Sequence, residues 1–446
     1  MNRALFVAVF IADLGGLLFG FCIAVIAGAL PLLTTEFQLS AGMQGWAVNS
    51  TAVGCIFGSL FLGRLSDFLG RRPTLMFIAL IFLFSNIATG VIGSFHFFLV
   101  FRFITGVAIG GSAVLSPVYI AELSPPDFRG RLVASFSLAI VIGILLAFFS
   151  DYMLMDAGAN NWRYMFLVGA FPALVFFLLL FFAPESPRYL MQRGLEHETD
   201  VVIRRINPQI DKFIFMQEFK KLNNIKIIAS NSNLFKQPYL KMLYTGIALG
   251  MLNQFTGISA VMYYATDFFR SVGVAVNSGM KQAVIIGVTN LVFTLVAMTM
   301  IDKIGRKKLL LMGSIGMAVC LFLSAILFTA GLQQSYITLL ILFGFIGFFA
   351  VSQGTVLWVL LSEIFPNSIR IRGAALGSSA YWFFNLLITF LFPILIANIG
   401  AGALFGFFTA ATLGSYFYFR KYLIETKGKT LESMKNYLMK KEPVPR

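Results

Sequence analysis

The chain has 446 residues, of which 58% are hydrophobic and only 12% are Asp, Glu, Lys or Arg, and its mean hydropathy is +0.85. A soluble domain carries about 25% charge and has no place to hide so much apolar surface, whereas in a bilayer the lipid-facing shell of every helix is apolar too. The net charge of +15 sits in short cationic clusters between apolar runs, a placement that suits headgroups and topology and excludes nucleic acid as a partner.

A transmembrane helix needs roughly 20 apolar residues. Such stretches occur at 5–30, 44–65, 73–93, 97–122, 131–152 and 162–182, then at 240–267, 279–301, 307–330, 336–363, 371–396 and 400–422. The first is too long for a cleaved leader and reads as a span. It contains Asp13, about 12 Å from its start at 1.5 Å per residue, and Cys22. The second ends in GRLSDFLGRRP, which holds Asp67, Gly70 and Arg71. The fourth carries Arg102, about 7 Å deep from the opposite end, and the spacing Gly106-x-x-x-Gly110, which lets helices pack closely. Asp13 and Arg102 therefore differ in height by roughly 10 Å in a 30 Å core, too far for a direct pair, and Cys22 lies at Arg102's level. Glu122 and Arg129 follow in AELSPPDFRG, and Ser135 and Ser137 open the fifth span.

A polar segment, 184–237, begins with PESPR (Glu185, Arg188) and reads as a linker with short surface helices that can lie on anionic lipid. It separates bundles over 1–183 and 238–423, and 424–446 form a tail. The second bundle repeats the loops of the first. Asp302-x-x-Gly305-Arg306 echoes Asp67-x-x-Gly70-Arg71, and Glu363 and Arg370 are seven apart like Glu122 and Arg129. Cations concentrate in these loops, with Arg270 and Lys281 as exceptions of the other parity, so both termini are expected to be cytoplasmic. The expected fold class is all-α integral membrane, twelve transmembrane helices in two pseudo-symmetric six-helix bundles.

Duplicated bundles are the signature of a transporter with its site between the halves. The recurring acids, cations and glycines predict a ring of ion pairs, Asp67, Arg71, Glu122, Arg129, Glu185, Arg188, Asp302, Arg306, Glu363 and Arg370, that closes one side of the protein and breaks when it opens. Simple anchoring of loops to headgroups would need neither the acids nor the glycines. Polar residues inside apolar runs must be satisfied or must line a water-filled cavity. These are Asn253, Gln254, Ser259 and Tyr264 in the seventh span, Asn290 in the eighth, Trp358 in the tenth after Gln353 and Gly354, Tyr381, Trp382 and Asn385 in the eleventh, and Ser137. Amides, hydroxyls and aromatic faces without carboxylates match a neutral sugar or polyol. Some of these groups are expected to cross-link helices instead. No nucleophile–base pair, metal cluster or phosphate loop marks an enzyme, and no cofactor or metal is expected. Cys22, Cys55 and Cys320 are scattered thiols.

These residues resemble the sugar porter family of the major facilitator superfamily, which holds bacterial proton–sugar symporters and glucose facilitators. GGLLFG (15–20), GRLSDFLGRRP (63–73), PVYIAELSPPDFRG (117–130), PESPR (184–188), NQFTGISAVMYY (253–264), DKIGRKK (302–308), WVLLSEIFP (358–366) and a degraded ETKG (425–428) match in order over essentially the whole chain. The resemblance implies the major facilitator fold and sugar contacts at Gln254, Asn290 and Trp358. It also marks departures. The family's fifth-span polar positions are Ser137 and Ile144, and its tenth-span Gly-Pro pair is Gly354-Thr355, which predicts loss of a built-in kink. The proton-binding aspartate of coupled members is Cys22, while its arginine partner is kept as Arg102. A facilitative transporter of a hexose, pentose or inositol-like polyol is therefore expected, working as a monomer among lipids of a bacterial inner membrane. The alternatives are a proton-coupled symporter using Asp13 or another acid, and a sugar-sensing transceptor.

Overall fold

The computed structural model describes residues 2–125, 127–158, 160–206, 239–263, 279–332, 336–366 and 369–428, and these contain helices and turns but no strand. Eleven helices among them are long and apolar enough to cross a membrane. Spans one to six are Arg3–Phe37, Gly42–Leu69, Arg71–Val91, Phe95–Leu123, Arg129–Leu154 and Asn161–Phe182. The seventh is seen as Tyr239–Gln254 and Ile258–Tyr263, and the expected contact Tyr264 lies outside the described residues. The eighth to tenth are Gly279–Ile304, Arg306–Thr329 and Ile337–Glu363. Helix Arg370–Tyr422 carries the last two, divided at Gly400, whose φ of 78° only glycine adopts easily. The helices overlap the expected spans and several run past them, the first reaching Phe37 where an end at 30 is expected.

Large apolar side chains face outward, among them Phe61, Phe68 and Phe171, each more than 70% exposed. In water this would be untenable, and in lipid it costs nothing. With no hydrophobic drive between helices in lipid, close packing must hold them. Gly54 and Gly58 of the second span and Gly106 and Gly110 of the fourth interlock, since a Cβ on any of the four would collide with a backbone carbonyl of the other helix. The first span packs on the fifth in the same way through Gly20 and Gly143. Between the bundles, the second span meets the eleventh and the fifth meets the eighth. Ser59 bonds Ser378 at 3.0 Å and Thr389 bonds Asn49 at 3.0 Å across the first of these seams.

Of the expected linker, Pro187–Gln192 and Glu196–Ile206 form two short helices on the side of the charged loops, hereafter the linker side. Residues 207–237 lie outside the described ones.

Candidate functional site

Two interrupted helices shape the centre. The seventh span breaks after Gln254, with Gly257 at φ 80°, and the Thr256 hydroxyl donates to the Asn253 carbonyl at 2.7 Å. The tenth span has a π-helical turn at Ala350–Gly354. Here Thr355 Oγ1 takes the Ala350 carbonyl at 2.8 Å, and a wide turn interrupts the regular ladder without proline.

Between the bundles lies a cavity of about 160 Å³, with room for on the order of ten water-sized groups, the scale of one sugar ring and its hydroxyls. Ser137, Asn253, Ser259, Asn290, Trp358, Tyr381, Trp382 and Asn385 all line it, as the sequence predicts, and no charged side chain does among the described residues. Phe19, Trp358, Tyr381 and Trp382 form one aromatic wall, with centroid distances of 5.1–5.8 Å. The wall from the fifth span is apolar, made by Ile140, Ile144 and Phe148 around Ser137.

Gln254 and Gln353 exchange the roles expected of them. Gln254 is fully buried and does not line the cavity. Its Oε1 accepts from Ser259 at 2.6 Å and from Asn385 at 3.3 Å, and its amide nitrogen donates to Asn253 at 3.3 Å. It therefore holds three cavity residues in place from behind. Gln353, mentioned in the sequence only as a neighbour of Trp358, does line the cavity. Its side chain is buried, and neither its Nε2 nor its Oε1 has a hydrogen-bond partner among the described residues. The Trp382 Nε1 proton is likewise unmatched. Buried polar atoms are rarely left so, and both residues line the cavity. The signal for Gln353 was available, since an amide within an apolar run needs a partner.

Arg102 and Cys22 meet as their heights predict. Arg102 Nη1 donates to the Cys22 carbonyl at 2.8 Å, and the Cys22 thiol lies 3.5–3.6 Å from the Asn86 amide. Asp13 is elsewhere, half-buried beside Ser135.

The linker side is closed by a charged clasp built twice. Arg71 pairs with Glu122 through Nε–Oε2 at 3.0 Å and Nη2–Oε1 at 3.1 Å. Arg306 pairs with Glu363 through the same atoms at 3.1 and 2.9 Å. Asp67 and Asp302 approach these arginines at 4.0 and 3.0 Å. These pairs lie within each bundle; across the bundles Arg370 stands 3.8 Å from Glu122 and Arg372 3.9 Å from Asp67, and the Arg131 amide donates to Asp302 at 2.8 Å. Glu185 accepts the backbone N–H groups of Arg71 and Arg72, where a helix N-terminus leaves donors unmatched, and Arg188 donates to the Glu122 carbonyl. Arg129 is buried at the start of the fifth span. The sequence reading missed Glu425 and Thr426. Glu425 accepts from the Arg306 and Lys307 amides at 3.0 Å, and Thr426 bonds Glu363 at 2.6 Å, as Ser186 bonds Glu122 at 2.5 Å. The acid–hydroxyl dipeptides of PESPR and ETKG are thus equivalent parts, and residues 425–426 belong to the clasp rather than to a loose tail. Gly70 and Gly305, at φ 102° and 98°, let the two acids approach.

Comparison with known proteins agrees with this geometry. Residues 8–438 match the model of the family described as Sugar (and other) transporter. The arabinose-proton symporter of Bacillus subtilis is 34% identical over 438 residues, which span 96% of this chain and 94% of that one. The proton:xylose symporter XylE bound to 6-bromo-6-deoxy-D-glucose superposes with a TM-score of 0.90 at 33% identity, over 98% of this chain and 99% of that one. Against the inward open conformation of XylE from E. coli, over 97% and 99% of the chains at 32% identity, the score falls to 0.74, in keeping with the closed clasp. The chain belongs to the sugar transporter family of the major facilitator superfamily, with the twelve-helix fold of that superfamily.

Proposed function

We propose that this protein carries one neutral monosaccharide or cyclic polyol at a time across a cell membrane, by exposing the central cavity alternately to its two sides. The observation that carries the reading is an uncharged cavity between the bundles, lined by amides and hydroxyls and walled by aromatic rings, with Gln353 and Trp382 in its lining holding buried polar atoms unmatched among the described residues. Hydroxyls that donate and accept at once match the amide, and the indole and phenol faces cover C–H surfaces. A charged substrate would need a countercharge that the lining lacks. The names of the related symporters support an aldose as substrate.

In this reading Gln254, Asn253, Ser259, Asn290, Trp358, Tyr381, Trp382, Asn385 and Ser137 form or support the binding site. The clasp is the gate on the linker side, taken as cytoplasmic together with both termini because the cations gather there. The bundles are 1–183 and 238–423, the working unit is a monomer, and the membrane is a bacterial inner membrane. Energy coupling has two readings. Cys22, in place of a carboxylate beside Arg102, supports facilitated diffusion, and the relatives named as proton symporters support coupling through a different acid.

The test is uptake by purified protein in liposomes, with labelled D-glucose, D-xylose, L-arabinose and myo-inositol each alone. Saturable uptake of at least one, inhibited by its unlabelled form, is expected. Uptake no faster than in empty liposomes for all four would refute the reading.

A further inference from the structure

A buried acid that the sequence reading passed over lies near the outer end of the fifth span. Asp151 is 0% exposed, and no side chain among the described residues bonds its carboxyl, which has only the Gly28 backbone against it. It fills a recess on the first span made by Gly28, where a Cβ would stand 2.5 Å from Oδ2 and 2.6 Å from the Asp151 Cβ. Ala27, next to Gly28, and Phe148, one helical turn before Asp151, both line the central cavity. The acid therefore sits about 4.5 Å beyond the cavity rim, on the side away from the linker.

Among the described residues no cation bonds it, and Arg270, beyond the seventh span, lies outside them. Glu36 at the tip of the first span and Arg163 of the sixth pair with each other at 2.9 Å. Arg102 of the fourth span is engaged with the Cys22 carbonyl, and Asp156, beyond the end of the fifth span, is exposed. On the eighth span, which packs on the fifth, the side chain of Lys281 lies outside the described residues. Burying an ionised carboxylate without a partner costs several kcal/mol, whereas a neutral carboxyl is far cheaper to bury.

The recess has a way to open. Arg102 takes the Cys22 carbonyl, which in an unbroken helix accepts from the amide of Ile26, and the first span is interrupted at Val25. Gly28 belongs to the short outer segment Ile26–Phe37, which also contains Pro31. Val25 itself keeps α-helical backbone, and a bend at this point would lift Gly28 off Asp151 and admit water.

We propose that Asp151 is the proton-binding site through which this transporter couples sugar entry to proton entry. With the outer segment bent away, the carboxylate takes a proton from hydronium, releasing water. Closing the segment over the neutral acid seals proton and sugar together. Asp13 also has a buried, unmatched carboxyl oxygen, but Ser135 stands beside it and it lies toward the linker side, away from the outer segment. The inference rests on the transport reading above and chooses the coupled form of it.

Liposomes loaded with purified protein and given an acid exterior test it, with D-glucose, D-xylose, L-arabinose and myo-inositol as probes. The wild type should accumulate its substrate above equilibrium, approaching tenfold for one pH unit at one proton per sugar. Asp151→Asn should equilibrate the sugar without accumulating it, and Asp151→Glu should accumulate. Infrared difference spectra give a readout independent of exchange: a protonated-carboxyl band that sugar induces in the wild type should vanish in Asp151→Asn. Accumulation by Asp151→Asn, persistence of the band in that variant, or a wild type that only equilibrates under the gradient would each overturn the proposal. No saturable uptake by the wild type at all would instead overturn the transport reading.

Discussion

Gln353→Leu separates substrate recognition from packing in a way that few substitutions here can. The Gln353 amide lines the cavity with both polar atoms unmatched by protein, while its backbone carbonyl accepts from Asn253 at 3.2 Å and is untouched by the change. Two neutral hydrogen bonds to sugar hydroxyls contribute about 0.5–1.5 kcal/mol each. Their loss should weaken binding by about 1–3 kcal/mol, or roughly 5- to 150-fold. The sugar-free protein loses no internal bond, so its melting temperature should stay the same or rise. Gln254→Ala is the contrast, since it strands Ser259 and Asn385 and should cost sugar-free stability as well as affinity. Titration calorimetry and thermal melts in nanodiscs measure both quantities. Affinity within twofold of wild type in Gln353→Leu, or a fall in sugar-free stability as large as the fall in affinity, would refute the reasoning.

Other expectations follow from the same geometry. Trp358→Ala removes the ring that touches Phe19, Phe136 and Tyr381 and should weaken sugar binding about tenfold or more by the same titration. Asp67→Asn should slow turnover with little effect on affinity, read as exchange rate against dissociation constant, because Asp67 touches the clasp and not the cavity. Gly70→Ala and Gly305→Ala should each lower the melting temperature, by about 1–3 kcal/mol in stability, since φ near 100° is strained for alanine and a Cβ meets Glu185 or Glu425.

Much of this was legible before any coordinates. Apolar runs fix the spans, because nothing else buries such segments, and the repeated Asp-x-x-Gly-Arg motif announces two like bundles. Adjacent residues on a helix point about 100° apart, so a list of polar residues in a span does not say which of them faces the cavity. The rotation of the helix Tyr239–Gln254 about its axis decides between Asn253 and Gln254, and the π turn at Ala350–Gly354 contains Gln353; neither follows from a sequence rule as clear as proline's. Glu185 was read as half of an ion pair because charge is visible in a sequence, whereas the unmatched amides of Arg71 and Arg72 that it satisfies are not. Glu425 was hidden by the degraded motif around it. Asp151 fell at the edge of its apolar run, where an acid reads as the start of a loop, and only its contact with Gly28 places it inside the protein.

The central claim is that the two bundles tilt about the cavity so that one side closes as the other opens. Spin labels at engineered cysteines test it, one pair at Phe68 and Lys308 on the linker side and another at Val91 and Leu332 on the opposite side, all exposed positions in different bundles, while the native thiols are buried. Pulsed-resonance distances across the two pairs should shift in opposite directions when the transported sugar is added. Distances that stay fixed, or that lengthen together, while the same labelled protein still carries sugar would contradict the account.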